Sequence, residues 1–560
     1  MSMPFFTKIK KEKRCMKRLI VVLICTVQYI MAWAQHDVVK DGEASEYNLN
    51  KPEREEWLRN APGGLFIHFS VDAQLGIVIS HSLVGASDDY VNRFFNELPA
   101  TFNPARFNPE EIATLAKLAG MKYIMFTTKH HSGFCMWDTK STGFNIMNTP
   151  YHKDLLKEFV DATRKAGLQV GFYFSPEDFH FLHTHNMLIS RDNVVMNEPV
   201  KKEFDEFTRT QCEELMTNYG KIDLLFIDGE PKEVVKATCW KLQPDILITR
   251  GALKTTEQML PGVTIQKPWL SCITIGTAWQ FQPTNERYKS GTNLIELLIE
   301  ARSKGGSLLL NTGPKPNGEL VADQEDRLRE MAAWYFINRE AVDSVHPWVI
   351  SREKNIWFTT AANKQTLYAI ITGLPGWVEG EQKSFTLHSV KATANTIISV
   401  LGQNGIIQEY KPGKNVRPSF KQTDTGLVVS VFRTQRIYDD HKWPNPAVIK
   451  IENIQPAIEP VQVVTLDARS SATAMVLSGK VLNFKPATPM KARFYYRPYH
   501  GQIEDLYTGP WIKSTTAPID KDGNFSGTIN GLQKGQQYEY KAVAEYSGIE
   551  LEGDKKLWHP

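Results

Sequence analysis

The chain has 560 residues, a formal net charge of +3 and 23% charged residues, with Lys and Arg scattered along it. That length exceeds one hydrophobic core and implies about three domains. The lack of a basic face excludes nucleic acid as a partner. The opening segment reads as a targeting sequence rather than as fold. Lys17 and Arg18 precede the apolar run LIVVLICTVQYIMAWA, and Ala32-Trp33-Ala34 before Gln35 has the small residues of a signal-peptidase site. Residues 1–34 are therefore expected to be a signal peptide, with Met16 able to serve as the start. Ile24 stands where a lipoprotein signal wants a small residue, which disfavours lipid attachment at Cys25. The apolar run is short of the roughly 20 residues that a bilayer requires, so an exported chain, periplasmic or secreted, with no membrane span after cleavage is expected.

Cleavage leaves four cysteines, Cys135, Cys212, Cys239 and Cys272, far apart and without a CxxC pair, so neither a disulfide framework nor a zinc site is implied. Buried thiols are expected, with one bridge possible in an oxidising compartment.

From about residue 45 to 345 apolar strands alternate with amphipathic helices, the pattern of a parallel α/β domain. LFIHFS (65–70) predicts a strand, PEEIATLAKLAG (109–120) a helix with Pro109 in its first turn, and KYIMFTTKH a second strand. KDLLKEFVDATRKAG (153–167) carries Leu155, Phe159 and Ala162 on one face, LQVGFYFS (168–175) is a strand, and a long helix ends at Gly220. KIDLLFIDG, DILITR (245–250), the helix NLIELLIEARS (293–303) and GSLLLNTG (306–313) continue the rhythm. So many units of roughly 40 residues favour a (β/α)8-like, TIM-type barrel over an open sheet.

KIDLLFIDGEP (221–231) is the stretch that organises this domain. Its near-continuous apolar run suits a parallel strand buried on both faces, and it ends on Asp228 and Gly229. Ligands of α/β sheets lie beyond the carboxyl ends of the strands, so Asp228 reads as catalytic or binding, although an Asp there can also cap the following turn. Other strand ends contribute Phe66, His68, His130, His131, Tyr173 and Arg250 to the same mouth. A lone strand-end His is more often structural. Histidine, carboxylate, Arg and aromatic groups together suit a sugar, whose hydroxyls bind imidazoles and whose C–H faces rest on rings.

TTKHHSGFCMWDTKSTGFNI (127–146), GFYFSPEDFH (171–180), IDLLFIDG (222–229), PWLSCITIGTAWQF (268–281) and LLNTGPKPNG (309–318) resemble glycoside hydrolase family 29, the exo-α-L-fucosidases. The resemblance runs in order over about residues 50–345. It implies a retaining enzyme with Asp228 as nucleophile. His68, His130 and His131 would bind sugar hydroxyls, Tyr173 and Arg250 would flank the nucleophile, and Phe66, Phe226 and Trp279 would form the apolar wall. No cofactor and no metal are implied, and the partner is an oligosaccharide or polysaccharide substrate.

A retaining glycosidase requires a second carboxyl group as acid/base. Many relatives carry Glu after the Trp of the motif matched by Lys267-Pro268-Trp269, but Leu270 stands there in this chain. KTTE (254–257) resembles the segment that supplies the acid/base in one branch of the family, which places the role on Glu257, with Glu230 and Glu286 as reserves. Glu257 can also be read as an acid at a helix start. Ser132 replaces the Asp usual in the HHDGF run, and Phe226 replaces a larger Trp. His180, His183 and His185 could suggest a metal, but a loop cluster of this kind can equally line the aglycone side.

Beyond residue 345 the pattern becomes period-two. Residues 346–455 predict a β-sandwich, which family 29 usually carries, and residues 460–560 a fibronectin type III-like sandwich in which Leu532 and Tyr538 have the spacing of a tyrosine corner. The leading function is an exported exo-glycosidase removing terminal α-L-fucosyl residues. The alternatives are an α-L-galactosidase (or one accepting substituted L-galactose), a catalytically impaired glycan-binding barrel that Leu270 would suit, and a surface scaffold acting through its β domains.

Overall fold

The computed structural model describes residues 47–191, 194–284, 286–374, 377–407, 413–435, 437, 443–471, 474–486, 489–499 and 509–559. The predicted signal segment, with Cys25 and Ala34, lies outside the described residues.

Eight strands form a parallel sheet: β1 (Gly63–Ile67), β2 (Tyr123–Lys129), β3 (Gln169–Phe174), β4 (Leu224–Ile227), β5 (Leu247–Ile248), β6 (Lys254–Glu257), β7 (Trp269–Thr274) and β8 (Ser307–Thr312). Their order is β5-β4-β3-β2-β1-β8-β7-β6, and β1 pairs with both β2 and β8, as in a TIM-type barrel. Side chains alternate between two cores. Phe66, Tyr123, Met125, Tyr173, Leu224, Phe226, Leu270 and Leu309 fill the barrel interior. Leu65, Ile67, Ile124, Phe126, Phe172, Leu225, Ile227 and Leu310 belong to the second core, which also takes in the buried helix residues. This period of two fixes the direction of each strand-end group: with Leu224 and Phe226 inside, Asp228 also faces the axis.

Helices α1 (Pro52–Asn60), α2 (Asp88–Thr101), α3 (Pro109–Leu118), α4 (Leu155–Lys165), α5 (Phe179–Thr184), α6 (Glu198–Asn218), α7 (Lys232–Leu242), α8 (Gly291–Ser303) and α9 (Ala322–Asn338) punctuate the strands. Their starts follow the sequence signals: Asn108 accepts the Glu111 N–H, Asp154 accepts the Lys157 N–H, and Leu155, Phe159 and Ala162 are buried.

The expected rhythm fails in one place. DILITR yields only a two-residue strand, because Thr249 O accepts both the Ala252 and Leu253 N–H groups and turns the chain. KTTE is the next strand and not a helix start. Among the described residues no helix separates β5 from β6 or β6 from β7, and β5 and β6 are not paired to each other.

Two antiparallel sheets, of five and three strands, share a core between residues 346 and 456, and sheets of four and five strands follow between 462 and 558. At the predicted corner the Gln533 N–H donates to Tyr538 Oη at 3.2 Å. The last sandwich is docked. Arg352 pairs with Glu552, and Asp554 accepts the N–H of Gly262 in the loop that leaves β6. A Cβ on Gly262 would meet the backbone of Gly553 and Asp554. Gly262→Ala is expected to cost about 1–3 kcal/mol through overpacking, read as a lowered Tm. An unchanged Tm would mean that the terminal sandwich is not seated on the barrel.

Candidate active site

The mouth of the barrel gathers all ten residues predicted for it. β4 ends because Gly229 adopts φ +115°, and a Cβ there would strike the Glu177 carboxylate. The Asp228 N–H donates to Phe174 O at 3.1 Å, which ties the strand end to β3. Tyr173 Oη donates to Asp228 Oδ2 at 2.8 Å, and His131 Nε2 lies 3.6 Å from the same oxygen. Oδ1 faces two guanidiniums, Arg191 Nη2 at 3.3 Å and Arg250 Nη2 at 3.5 Å. Arg250 also reaches Glu257 Oε2 through Nη1 at 3.1 Å, so one side chain bridges the two carboxylates.

Burial pushes the Asp228 carboxyl up, but Arg250, His131, Arg191 and His130 together hold it well below the usual carboxylate range. Burial also drives His130 and His131 well below their ordinary range, so the lasting positive charge is that of the two arginines. Glu257 moves the other way. Its burial, reinforced by Asp228, raises it despite Arg250. Tyr173 is pushed well above its usual value by burial and by Asp228, and remains a neutral donor.

The three histidines each use Nδ1 on the protein: His68 with Asn311 Oδ1 at 2.5 Å, His130 with Ser80 Oγ at 2.8 Å, and His131 with Ser175 Oγ at 2.6 Å. Asn311 Nδ2 donates to Trp279 O at 2.6 Å, so its Oδ1 is an acceptor and His68 Nδ1 carries the proton. Burial lowers His68 to about 4, leaving its Nε2 a neutral acceptor. Phe66 packs against His68 at 4.3 Å and Phe226 at 5.3 Å, and Trp279 lies 4.9 Å from His68. Phe226 is fully enclosed, with Tyr173 stacked on it at 5.5 Å and Arg250 5.5 Å from its centroid.

Leu270 does not stand at the mouth. It pairs with Thr255 two residues below the Glu257–Cys272 pair and is fully buried in the barrel interior, where an apolar residue is required. Glu230 is exposed and paired with Lys232 at 2.7 Å. Glu286 accepts the Thr277 N–H at 2.6 Å and its hydroxyl at 2.8 Å, as a loop clasp. The histidines at and just after α5 pack on aromatic rings: His180 on Phe144, His183 on Phe95, and His185 on Phe181 while it pairs with Glu203. Among the described residues His130, His131 and Asp228 offer ligand atoms within 4.8 Å of one another. The two guanidiniums on Asp228 oppose a cation there.

Sequence reasoning missed Arg191 and Glu177. Glu177 follows β3 within GFYFSPEDFH, and its place past a strand tip is the signal that marks it. Arg191 lies in a loop without periodicity. Arg191 Nε donates to Glu177 Oε2 at 2.7 Å, and His131 Nδ1 is 3.2 Å from that oxygen.

The barrel, the paired carboxylates at its carboxyl-terminal mouth and the aromatic and imidazole lining define a glycoside hydrolase. A family model described as alpha-L-fucosidase matches residues 30–340, more than half of the sequence. The chain belongs to the alpha-L-fucosidase family. An alpha-L-fucosidase of Dictyostelium discoideum is 24% identical over 469 residues, 74% of this chain and 97% of that protein. The tissue alpha-L-fucosidase of Mus musculus is 28% identical over 392 residues, 62% of this chain and 83% of that protein. The structure of alpha-L-fucosidase isoenzyme 1 from Paenibacillus thiaminolyticus superposes with a TM-score of 0.57 at 26% identity, covering 71% of this chain and 98% of that one. A Bacteroides thetaiotaomicron alpha-L-fucosidase, captured as a covalent intermediate with 2-fluoro-fucosyl fluoride, shares the fold at a TM-score of 0.58 and 20% identity, covering 74% of this chain and 99% of that one.

Burial pushes Glu177 up to about 7, against Arg191. An acid whose folded pKa is raised adds stability below its unfolded pKa and loses it as pH rises through the folded value. Tm is therefore expected to fall between about pH 4.5 and 7 in part through Glu177, and Glu177→Gln should remove that part. An identical pH profile in the variant would contradict the assignment.

Proposed function

We propose that this chain is an exported retaining exo-glycosidase that removes terminal α-L-fucosyl residues from glycans. The observation that carries the reading is the Arg250 bridge, with Asp228 held low and Glu257 raised at its two ends. Environments that push two carboxyl groups apart separate an anionic nucleophile from a protonated acid.

Asp228 attacks the anomeric carbon and forms a fucosyl ester while Glu257 gives its proton to the departing oxygen. Glu257, now a carboxylate, takes a proton from the water that opens the ester. The Nε2 atoms of His68, His130 and His131 meet sugar hydroxyls, and Phe66 and Trp279 cover the C–H face. Phe226 supports them from below. Leu270 does not argue for a dead barrel, because the acid is supplied from β6. Three domains are proposed, 45–345, 346–455 and 460–560, the last fibronectin type III-like, behind a cleaved leader ending at Ala34.

Asp228→Asn should lower kcat/KM for an aryl α-L-fucoside by several orders of magnitude in a folded protein, since it deletes the nucleophile. A loss of only a few fold would refute the assignment. Glu257→Ala should slow glycosides with poor leaving groups far more than aryl substrates, with partial rescue by azide. Rescue on a Glu230 or Glu286 variant instead would move the role there.

A second reading, α-L-galactoside hydrolysis, rests on Phe226 being smaller than Trp. An apolar pocket rejects an added hydroxyl by only about a hundredfold. Its enclosure by Tyr173 and Phe66 favours the fucoside. The ratio of kcat/KM for aryl α-L-galactoside over fucoside is expected to be well below unity and unchanged by Phe226→Trp. A ratio near unity that collapses in the variant would establish the second reading.

A further inference from the structure

Behind His130 lies a device that the reaction itself does not use. Ser80 has φ +58° and ψ −34°, and the His81 N–H returns to Ile79 O at 2.6 Å, so Ser80 is the centre of a γ-turn of the strained kind. Such a conformation persists only where its surroundings impose it. What imposes it is Asp72, fully buried in the loop after β1, whose Oδ2 accepts the Ser80 N–H at 2.6 Å. The strained residue then places its hydroxyl between His130 Nδ1 at 2.8 Å and the Ser132 N–H at 2.9 Å. The other face of the carboxyl looks at Gln280, the neighbour of Trp279, whose Nε2 donates to Ile77 O at 2.8 Å. Ser70 and Gln280 stand near enough to meet the carboxyl, but neither closes a bond of good geometry. Asp72 Oδ1, Gln280 Oε1 and Ser70 Oγ are buried polar atoms without a partner.

We propose that Asp72 is a positioning residue for sugar recognition: through Ser80 it aims His130 at the substrate. This rests on the reading of His130 as a sugar-binding group and adds how it is held. The groups that meet the carboxyl are the Ser80 N–H, the Ser70 hydroxyl and the Gln280 amide, none of them ionisable; beyond Ser80 stand His130, held neutral by burial, and His81 beside it. Burial pushes Asp72 up to about 6.

The test is the dissociation constant of L-fucose, measured by calorimetry at pH 7.5 for wild type, Asp72→Asn, Asp72→Ala and Ser80→Gly. Glycine accepts the backbone conformation of residue 80 and removes the hydroxymethyl side chain that carries the relay. Asp72→Ala and Ser80→Gly should each bind roughly tenfold more weakly, the loss of one oriented hydrogen bond. Asp72→Asn keeps an acceptor for the Ser80 N–H, so it should bind L-fucose more tightly than Asp72→Ala does. A folded Ser80→Gly protein with wild-type affinity would overturn the proposal, even if Asp72→Ala does not fold. If wild type binds no L-fucose, the sugar reading itself fails. The relay is then judged on the imidazole nitrogen resonances of His130, which Ser80→Gly must shift if the relay exists and leaves in place if it does not.

Discussion

The mouth of this barrel depends on keeping Asp228 an anion where burial opposes it. The carboxylate is placed by the strand that carries it, and its charge is maintained by Arg250 and Arg191 on one oxygen and by the Tyr173 hydroxyl on the other. Hydrogen bonding and opposite charge outweigh desolvation here. Each of those partners is in turn fixed. Arg191 is clasped by Glu177, Tyr173 is stacked between His130 and Phe226, and Arg250 is led back to β4 by its own carbonyl, which accepts the Ile227 N–H at 3.2 Å.

The break in the barrel ladder belongs to the same arrangement. Because the chain turns at Thr249 instead of continuing β5, β6 follows within a few residues and ends close enough for Glu257 to share the Arg250 guanidinium. The loop that leaves β6 is then capped by Asp554 of the terminal sandwich, so a segment next to the proposed acid is held by a domain more than 200 residues away in sequence. The two carboxyl groups occupy unlike surroundings: Asp228 is buried, whereas Glu257 is only part-buried, with enough burial to raise it and 36% of its side chain still exposed.

Asp228 was readable in the sequence because its strand is a continuous apolar run broken by Asp-Gly, and because a period of two carries the inward face from Leu224 through Phe226 to the acid. The strand-end histidines were readable for the same reason. β6 was not, since KTTE has no apolar run; its threonines satisfy themselves locally, Thr256 Oγ1 donating to Met259 O at 2.8 Å. Leu270 looked like a missing catalytic acid because sequence gives no register between β6 and β7, and only the pairing places it deeper than Glu257. Arg191 and the Asp72–Ser80 strap depend on loop conformations that no local pattern encodes.

The central claim, that Asp228 forms a covalent fucosyl ester, is tested most directly with 2-fluoro-fucosyl fluoride. The C2 fluorine destabilises the oxocarbenium-like transition states, while the fluoride leaves readily without acid help, so a covalent intermediate accumulates. Peptide mass spectrometry should then find one 2-fluorofucosyl adduct, on Asp228, absent from Asp228→Asn. An adduct on another carboxylate, or turnover of a fucoside with none on Asp228, would contradict the account.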